Sequence, residues 1–107
     1  MSALLVLTNL PDRTAAEMLA NALIEARLAA CVNILPPCRS VYRWQGAVEA
    51  SDEVPLLIKT SEARYAALET AIRALHPYEL PELIAVPITH GLPAYLGWVA
   101  AETSSTD

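Results

Sequence analysis

The sequence predicts an α+β fold, an antiparallel sheet with two main helices on one face. Three observations predict it. Strand-like and helix-like hydrophobic runs come in the order strand, helix, strand, strand, helix, strand, helix, which is a split βαβ arrangement. The middle strands read as one long hairpin from Cys31 to Thr60, turning at Gln45-Gly46-Ala47. Each arm is roughly a dozen residues, about twice the usual strand length. The chain has 107 residues without an internal repeat, low-complexity stretch or linker, which fits one domain over residues 1–107.

Leu4-Leu5-Val6-Leu7 is a short continuous apolar run, as in a strand buried on both faces. It stops at Thr8-Asn9-Leu10-Pro11-Asp12, where Asp12 is a good N-cap. From Arg13 to about Leu28, the residues Leu19, Ala22, Leu23 and Ala26 form one helical stripe, with Glu17, Asn21, Glu25 and Arg27 off it. In the hairpin, Pro36 and Pro37 donate no ladder hydrogen bonds and mark a bend or bulge, as does Pro55 on the returning arm. Tyr42 and Trp44 share one face and Val41 and Arg43 the other, while Val54, Leu56 and Ile58 share a face of the return arm. Gly46 supplies the positive φ of a tight turn. The acidic stretch from Glu49 to Glu53 reads as a solvated edge. Thr60 or Ser61 caps a second helix to about Leu75, with Tyr65, Leu68, Ile72 and Leu75 as its stripe. His76-Pro77 stops it, because a residue ahead of proline is pushed out of the helical region. Leu83 to Ile88 is a last core strand, and Pro93 starts a third helix carrying Tyr95, Leu96, Trp98 and Val99. The tail from Ser104 to Asp107 is small, polar and expected to fray.

Composition narrows the function classes. Hydrophobic residues make up 54% and charged residues 18%, with a mean hydropathy of +0.34. So short a chain should need more polar cover, so the surplus apolar surface needs a membrane or a subunit interface. No run approaches the roughly 18 apolar residues of a spanning helix, and the start lacks a signal-peptide pattern, so a soluble oligomer is expected. A net charge of −5 argues against nucleic acid, whose phosphates need a basic footprint. Cys31 and Cys38 make no disulfide framework. Seven positions apart on one extended strand, they would lie roughly 23 Å from each other. Two free thiols suit a reducing cytoplasm.

Candidate chemistry is sparse. His76 sits at a helix end, and imidazole is a good copper or zinc ligand. A divalent metal wants about three or four donors, so His76 needs company from Glu79, Glu82, His90, Cys31 or Cys38. Its structural role would be to cap the last carbonyls of its helix. Cys31, in apolar surroundings, reads as a packing residue. Cys38, next to Arg39, reads as the more reactive thiol. The aromatics Tyr42, Trp44, Tyr78, Tyr95 and Trp98 suit core and interface packing. They also suit a cleft between subunits, formed by Lys59, Tyr78, Glu82, Trp44 and Trp98. There Lys59, ending a strand ahead of a helix, is placed for an anion. No glycine-rich phosphate loop, Ser-His-Asp spacing, His-Glu-x-x-His or Cys-x-x-Cys occurs, so a non-enzymatic role is expected. Asn9 and Arg13 match an acylphosphatase-like pair in type alone.

Six segments together carry a resemblance. Ala30-Cys31-Val32-Asn33-Ile34, Tyr42-Arg43-Trp44-Gln45-Gly46, Ile58-Lys59-Thr60, His76-Pro77-Tyr78-Glu79, Pro81-Glu82 and Tyr95-Leu96-Gly97-Trp98 resemble the CutA, or divalent-cation tolerance, family, over roughly Leu4 to Thr103. The resemblance implies a ferredoxin-like βαββαβ sandwich with a long hairpin between the second and third strands and a C-terminal helix. It implies a homotrimer related in architecture to PII signalling proteins, with neighbouring hairpins joined at the trimer edges. It also implies a role in tolerance of or response to divalent metal ions, with weak binding of copper or another divalent cation. Some members are assigned copper ligands at a Cys ending the first strand and at two adjacent His before Pro-Tyr. Thr8 and Leu75 stand at two of those positions here, and His76 matches. The metal candidates are therefore His76, Glu79, Glu82 and Cys38. The alternatives are a PII-like sensor of a small metabolite and a trimeric scaffold, each using the intersubunit cleft.

Overall fold

A computed structural model of the protein describes residues 2–105; Thr106 and Asp107 of the predicted tail lie outside the described residues. The elements are β1 (Ala3–Leu10), α1 (Arg13–Glu25), β2 (Cys31–Ile34), β3 (Cys38–Trp44), β4 (Ala47–Ser61), α2 (Tyr65–Leu75), β5 (Ile84–Ile88) and α3 (Pro93–Glu102). One 3₁₀ turn, Glu62–Arg64, leads into α2. The sheet order is β2-β4-β1-β5, antiparallel throughout, with β3 running beside the far half of β4. This is the α+β sandwich that the sequence predicts.

The predicted first hairpin arm is two strands, not one. Ile34 pairs with Leu56 and Cys38 with Glu53, so residues 35–37 face only residues 54 and 55. The extra residue is a bulge at Pro36-Pro37, where two missing N–H groups make ladder pairing impossible. Leu35 N–H donates to Pro55 O at 3.0 Å across it. At the far end Trp44 pairs with Ala47. Gln45 (φ 50°) and Gly46 (φ 84°) form the two-residue turn, a geometry whose twist matches that of the strands.

The core lies between one sheet face and the two helices. Val6, Leu10, Val54, Leu56 and Ile58 meet Ala16, Leu19 and Leu23 of α1 and Leu68 and Ile72 of α2. Asp12 caps α1 by accepting from Ala15 N–H at 2.8 Å. The buried stripe of α1 is Ala16, Leu19, Ala20 and Leu23. The predicted Ala26 falls past the helix end and is exposed. There Arg27 takes the left-handed conformation (φ 59°), Arg27 N–H donates to Ile24 O and Leu28 N–H to Leu23 O. This pattern satisfies the last helical carbonyls. The predicted caps Thr60 and Ser61 stay in β4, because the 3₁₀ turn intervenes before α2. Leu75, the last residue of α2, is 55% exposed, so packing reaches only Ile72.

Side chains alternate along β1, so Leu5 and Leu7 point away from α1 and α2. Leu7 faces Leu57 and Ile84 across the strands, and Leu5 faces Lys59 and Val86. Leu5, Leu7 and Leu57 are half-buried and Ile84 and Val86 exposed. The first strand is thus buried on one face of the single chain rather than on both. On this second face lies α3. Thr103 Oγ1 donates to Ser61 Oγ at 3.0 Å. Arg27 on the far side holds Ala101 O at 2.8 Å and Ser104 O at 3.1 Å. Ser104 is therefore tied down, where fraying was expected.

Candidate functional site

Two polar clusters stand out, one at the hairpin root and one on the second sheet face. At the root, the chain leaves α2 through His76, a residue only 7% exposed. His76 Nδ1 accepts from Tyr78 N–H at 3.1 Å. That fixes Nε2 as the protonated nitrogen, donating to Asn9 O at 2.6 Å. The His76 and Tyr78 rings touch, with centroids 4.8 Å apart. Tyr78 also interacts electrostatically with Glu53 and, more weakly, with Tyr42 and Asp12. Its own burial first, then the Glu53 carboxylate, push its phenol up to about 12. Asn9 Nδ2 donates to Glu82 Oε1 at 3.0 Å.

The second cluster follows from register. Cys31 pairs with Lys59 across β2 and β4, and Asn33 lies two residues along on the same face. Lys59 Nζ donates to Asn33 Oδ1 and stands 4.0 Å from Cys31 Sγ. Tyr95 of α3 is close enough to Cys31 for the two to interact electrostatically. Burial, and next the charge that Cys31 would carry, raise the Tyr95 phenol above its ordinary range. Trp98 packs on Tyr95 with ring centroids 5.6 Å apart.

The expected metal quartet does not assemble within one chain. Among the described residues no group of three or more His, Cys, Asp or Glu is placed to hold a metal. Both His76 nitrogens are engaged by backbone, so coordination would break one of those bonds. Glu79 lines a separate open hollow of about 350 Å³ with Arg73 and Pro81, Glu82 is bound to Asn9, and Cys38 is exposed beside Ser40. Thr8 is buried with Oγ1 unpartnered among the described residues. The described donors of a single chain therefore do not fit a resident metal.

The expected cleft residues also separate within one chain. Tyr78 and Glu82 belong to the root cluster, Lys59 and Trp98 to the second face, and Trp44 to the hairpin tip. Lys59 does not meet a helix N-terminus, since it lies inside β4 and points to Asn33. Sequence reasoning named Asn9, Asn33 and Glu53 but placed none of them in these clusters. The same-face pair Cys31 and Asn33 was readable from strand alternation. The contacts of Asn9 and Glu53 needed the tertiary fold.

An α+β sandwich of this strand order, with an extended hairpin and a helix on the open sheet face, defines a ferredoxin-like domain. The family model described as "CutA1 divalent ion tolerance protein" matches residues 4–102, and the chain belongs to that family. It is 46% identical over 98 residues to the Divalent-cation tolerance protein CutA of Thermus thermophilus, covering 92% of this chain and 95% of that protein. It is 44% identical over 95 residues to Protein CutA of Mus musculus, covering 89% of this chain but 54% of the longer mouse protein. Among solved structures, the Thermus thermophilus divalent cation tolerance protein superposes with a TM-score of 0.93 at 44% identity, covering 95% of this chain and 99% of that one. CutA1 of Oryza sativa gives 0.95 at 40% identity, covering 99% and 97%.

Proposed function

We propose that this chain acts as a non-enzymatic homotrimer in the tolerance of divalent metal ions, taking up copper or another divalent cation weakly. The family match over residues 4–102 carries the role. The hairpin supports the assembly. Residues 41–50 are all exposed in a single chain, among them Val41, Tyr42, Trp44 and Val48. The ribbon also leaves backbone edges open, which is what a neighbouring strand pairs with. The missing donor cluster fits weak uptake, with Cys38 or the carboxylates of Glu79 and Glu82 acting beside donors of a neighbouring chain. Two free thiols suit a reducing cytoplasm.

Sedimentation and copper titration calorimetry test this together. A trimer that takes up copper, and takes up less after Cys38→Ser, is the expected result. A monomer, or no uptake by the wild type, overturns the corresponding half of the proposal. A second reading rests on Lys59 and the packed pair of rings Tyr95 and Trp98, a cation on the second sheet face and two aromatics on the helix there. It is a PII-like sensor of a small anionic metabolite in an intersubunit cleft. A thermal-shift screen of metabolites would reveal it, since a ligand of the folded state raises the midpoint.

A further inference from the structure

We infer that α3 is a detachable strap over the second sheet face, fastened only at its C-terminal end, with Arg27 as the positioning residue that holds it shut. The two ends of α3 are held differently. At the C-terminal end Arg27 Nη2 donates to Ala101 O at 2.8 Å and Nε to Ser104 O at 3.1 Å. The last carbonyls of a helix lack partners inside it and form its negative end, so a guanidinium suits them twice over. Thr103 is buried there, with Oγ1 bonded to Ser61 Oγ of β4 at 3.0 Å. Arg64 braces the clasp from behind, donating to Arg27 O at 3.4 Å and Ala26 O at 3.5 Å. At the N-terminal end Leu92 supplies no side-chain cap, and Leu92, Tyr95 and Trp98 are exposed. Val99 is the one buried residue of α3. A single buried valine docks a helix weakly, so the polar fastening carries a large share of the hold.

Two further observations set the clasp apart from ordinary packing. Beside it lies an open hollow of about 460 Å³, with Ser61, Ala63 and Arg64 on one side and Ala101, Thr103 and Ser104 on the other. Side-chain packing therefore does not hold that edge of α3. Arg27 also stands in the left-handed region at φ 59°, a conformation that strains a residue with a Cβ and leaves glycine unstrained. Glycine would fit the backbone better, and what arginine adds is the reach to α3. Opening the strap carries Tyr95 and Trp98 away from the β2 and β4 face. The core stays closed, because it lies on the opposite face under α1 and α2.

Native-state hydrogen exchange of the full chain in its solution assembly, followed across low urea concentrations, tests this. In the wild type the amides from Leu96 to Thr103 should exchange about tenfold or more faster than those of Leu56 and Ile58. Their urea dependence should be shallower, because opening one helix exposes little surface. Arg27→Gly keeps the backbone conformation and removes the guanidinium, and it should speed the α3 amides by about tenfold through the lost charge-assisted hydrogen bonds. Thr103→Val keeps the shape, removes the bond to Ser61 and should act in the same direction with a smaller effect. Exchange of α3 at the rate and urea slope of β4 would show that the helix leaves only when the whole chain unfolds, and would overturn the inference. So would α3 exchange unchanged in both Arg27→Gly and Thr103→Val. Neither result bears on metal uptake, which calorimetry reads separately.

Discussion

Strand β4 passes through two environments. From Val54 to Thr60 every second residue is buried, under α1 and α2. From Ala47 to Ala50 every residue is exposed, although the ladder with β3 runs unbroken to the turn. The pairing is antiparallel in both halves, but the buried half is flanked by β1 and β2 and the exposed half by β3 alone. Apolar cover and a second ladder partner therefore go together, and the exposed half lacks both. The exposed half still carries Val41, Tyr42, Trp44 and Val48, which one chain leaves uncovered.

Substitution at matched depths should break or sharpen this contrast. Leu56 is fully buried, and Leu56→Ala should cost about 3–4 kcal/mol by lost transfer energy plus the cavity left. Val48 is 67% exposed, and Val48→Ala should stay within about 0.5 kcal/mol in an isolated chain. Urea unfolding measures both. Trp44 decides whether the ribbon is isolated. If neighbouring chains cover it, Trp44→Ala should approach about 3 kcal/mol and shift sedimentation to smaller species. A loss below about 1 kcal/mol with assembly intact would show the ribbon uncovered at that residue.

Two buried threonines on the helix-covered face give the next largest effects, with opposite signs. Thr60 Oγ1 donates to Leu28 O at 2.7 Å. Thr60→Val strands that carbonyl and should destabilise by about 1–2 kcal/mol. Thr8 Oγ1 has no partner among the described residues. Thr8→Val keeps the shape and removes an unsatisfied hydroxyl, so it should stabilise by about 1 kcal/mol. Chemical denaturation of both variants checks the signs, and two losses would refute the contrast.

Much of the fold was legible because its signals are local. The Asp12 cap, the turn at Gln45-Gly46 and the bulge at Pro36-Pro37 each depend on residues a few positions apart. The clusters were less legible, because their partners meet only through register or tertiary packing. Lys59 lies beside Cys31 because β2 and β4 pair in one register, and a slip of one residue would part them. The His76 ring closes on Asn9, 67 residues away. Arg27 adopts a conformation that glycine favours, and its guanidinium holds the end of α3. Nothing near Arg27 in sequence announces that.

At the hairpin root the contrast can be read by pH. The Tyr78 phenol is pushed up to about 12 in the folded chain, first by burial and next by Glu53. An unfolded tyrosine ionises near 10. Below that pH both states are neutral and the stabilisation is fully present. Between about 10 and 12 the unfolded chain loses its proton first, so stability falls as pH rises. Tyr78→Phe should flatten that part of an alkaline unfolding series, and an unchanged slope would remove Tyr78 as its source.

The smallest expected effect discriminates best between a bare and a covered ribbon. Arg39 and Asp52 pair at 3.1 Å across the ribbon with side chains 62% and 77% exposed. In a bare ribbon Asp52→Asn should cost at most about 0.5 kcal/mol, and added salt should erase it. Under a neighbouring chain the same pair loses its water screening, and removing one partner leaves a cation poorly solvated. The effect should then grow and resist salt. Denaturation of Asp52→Asn at low and high ionic strength separates the two cases, because salt screens only what water reaches.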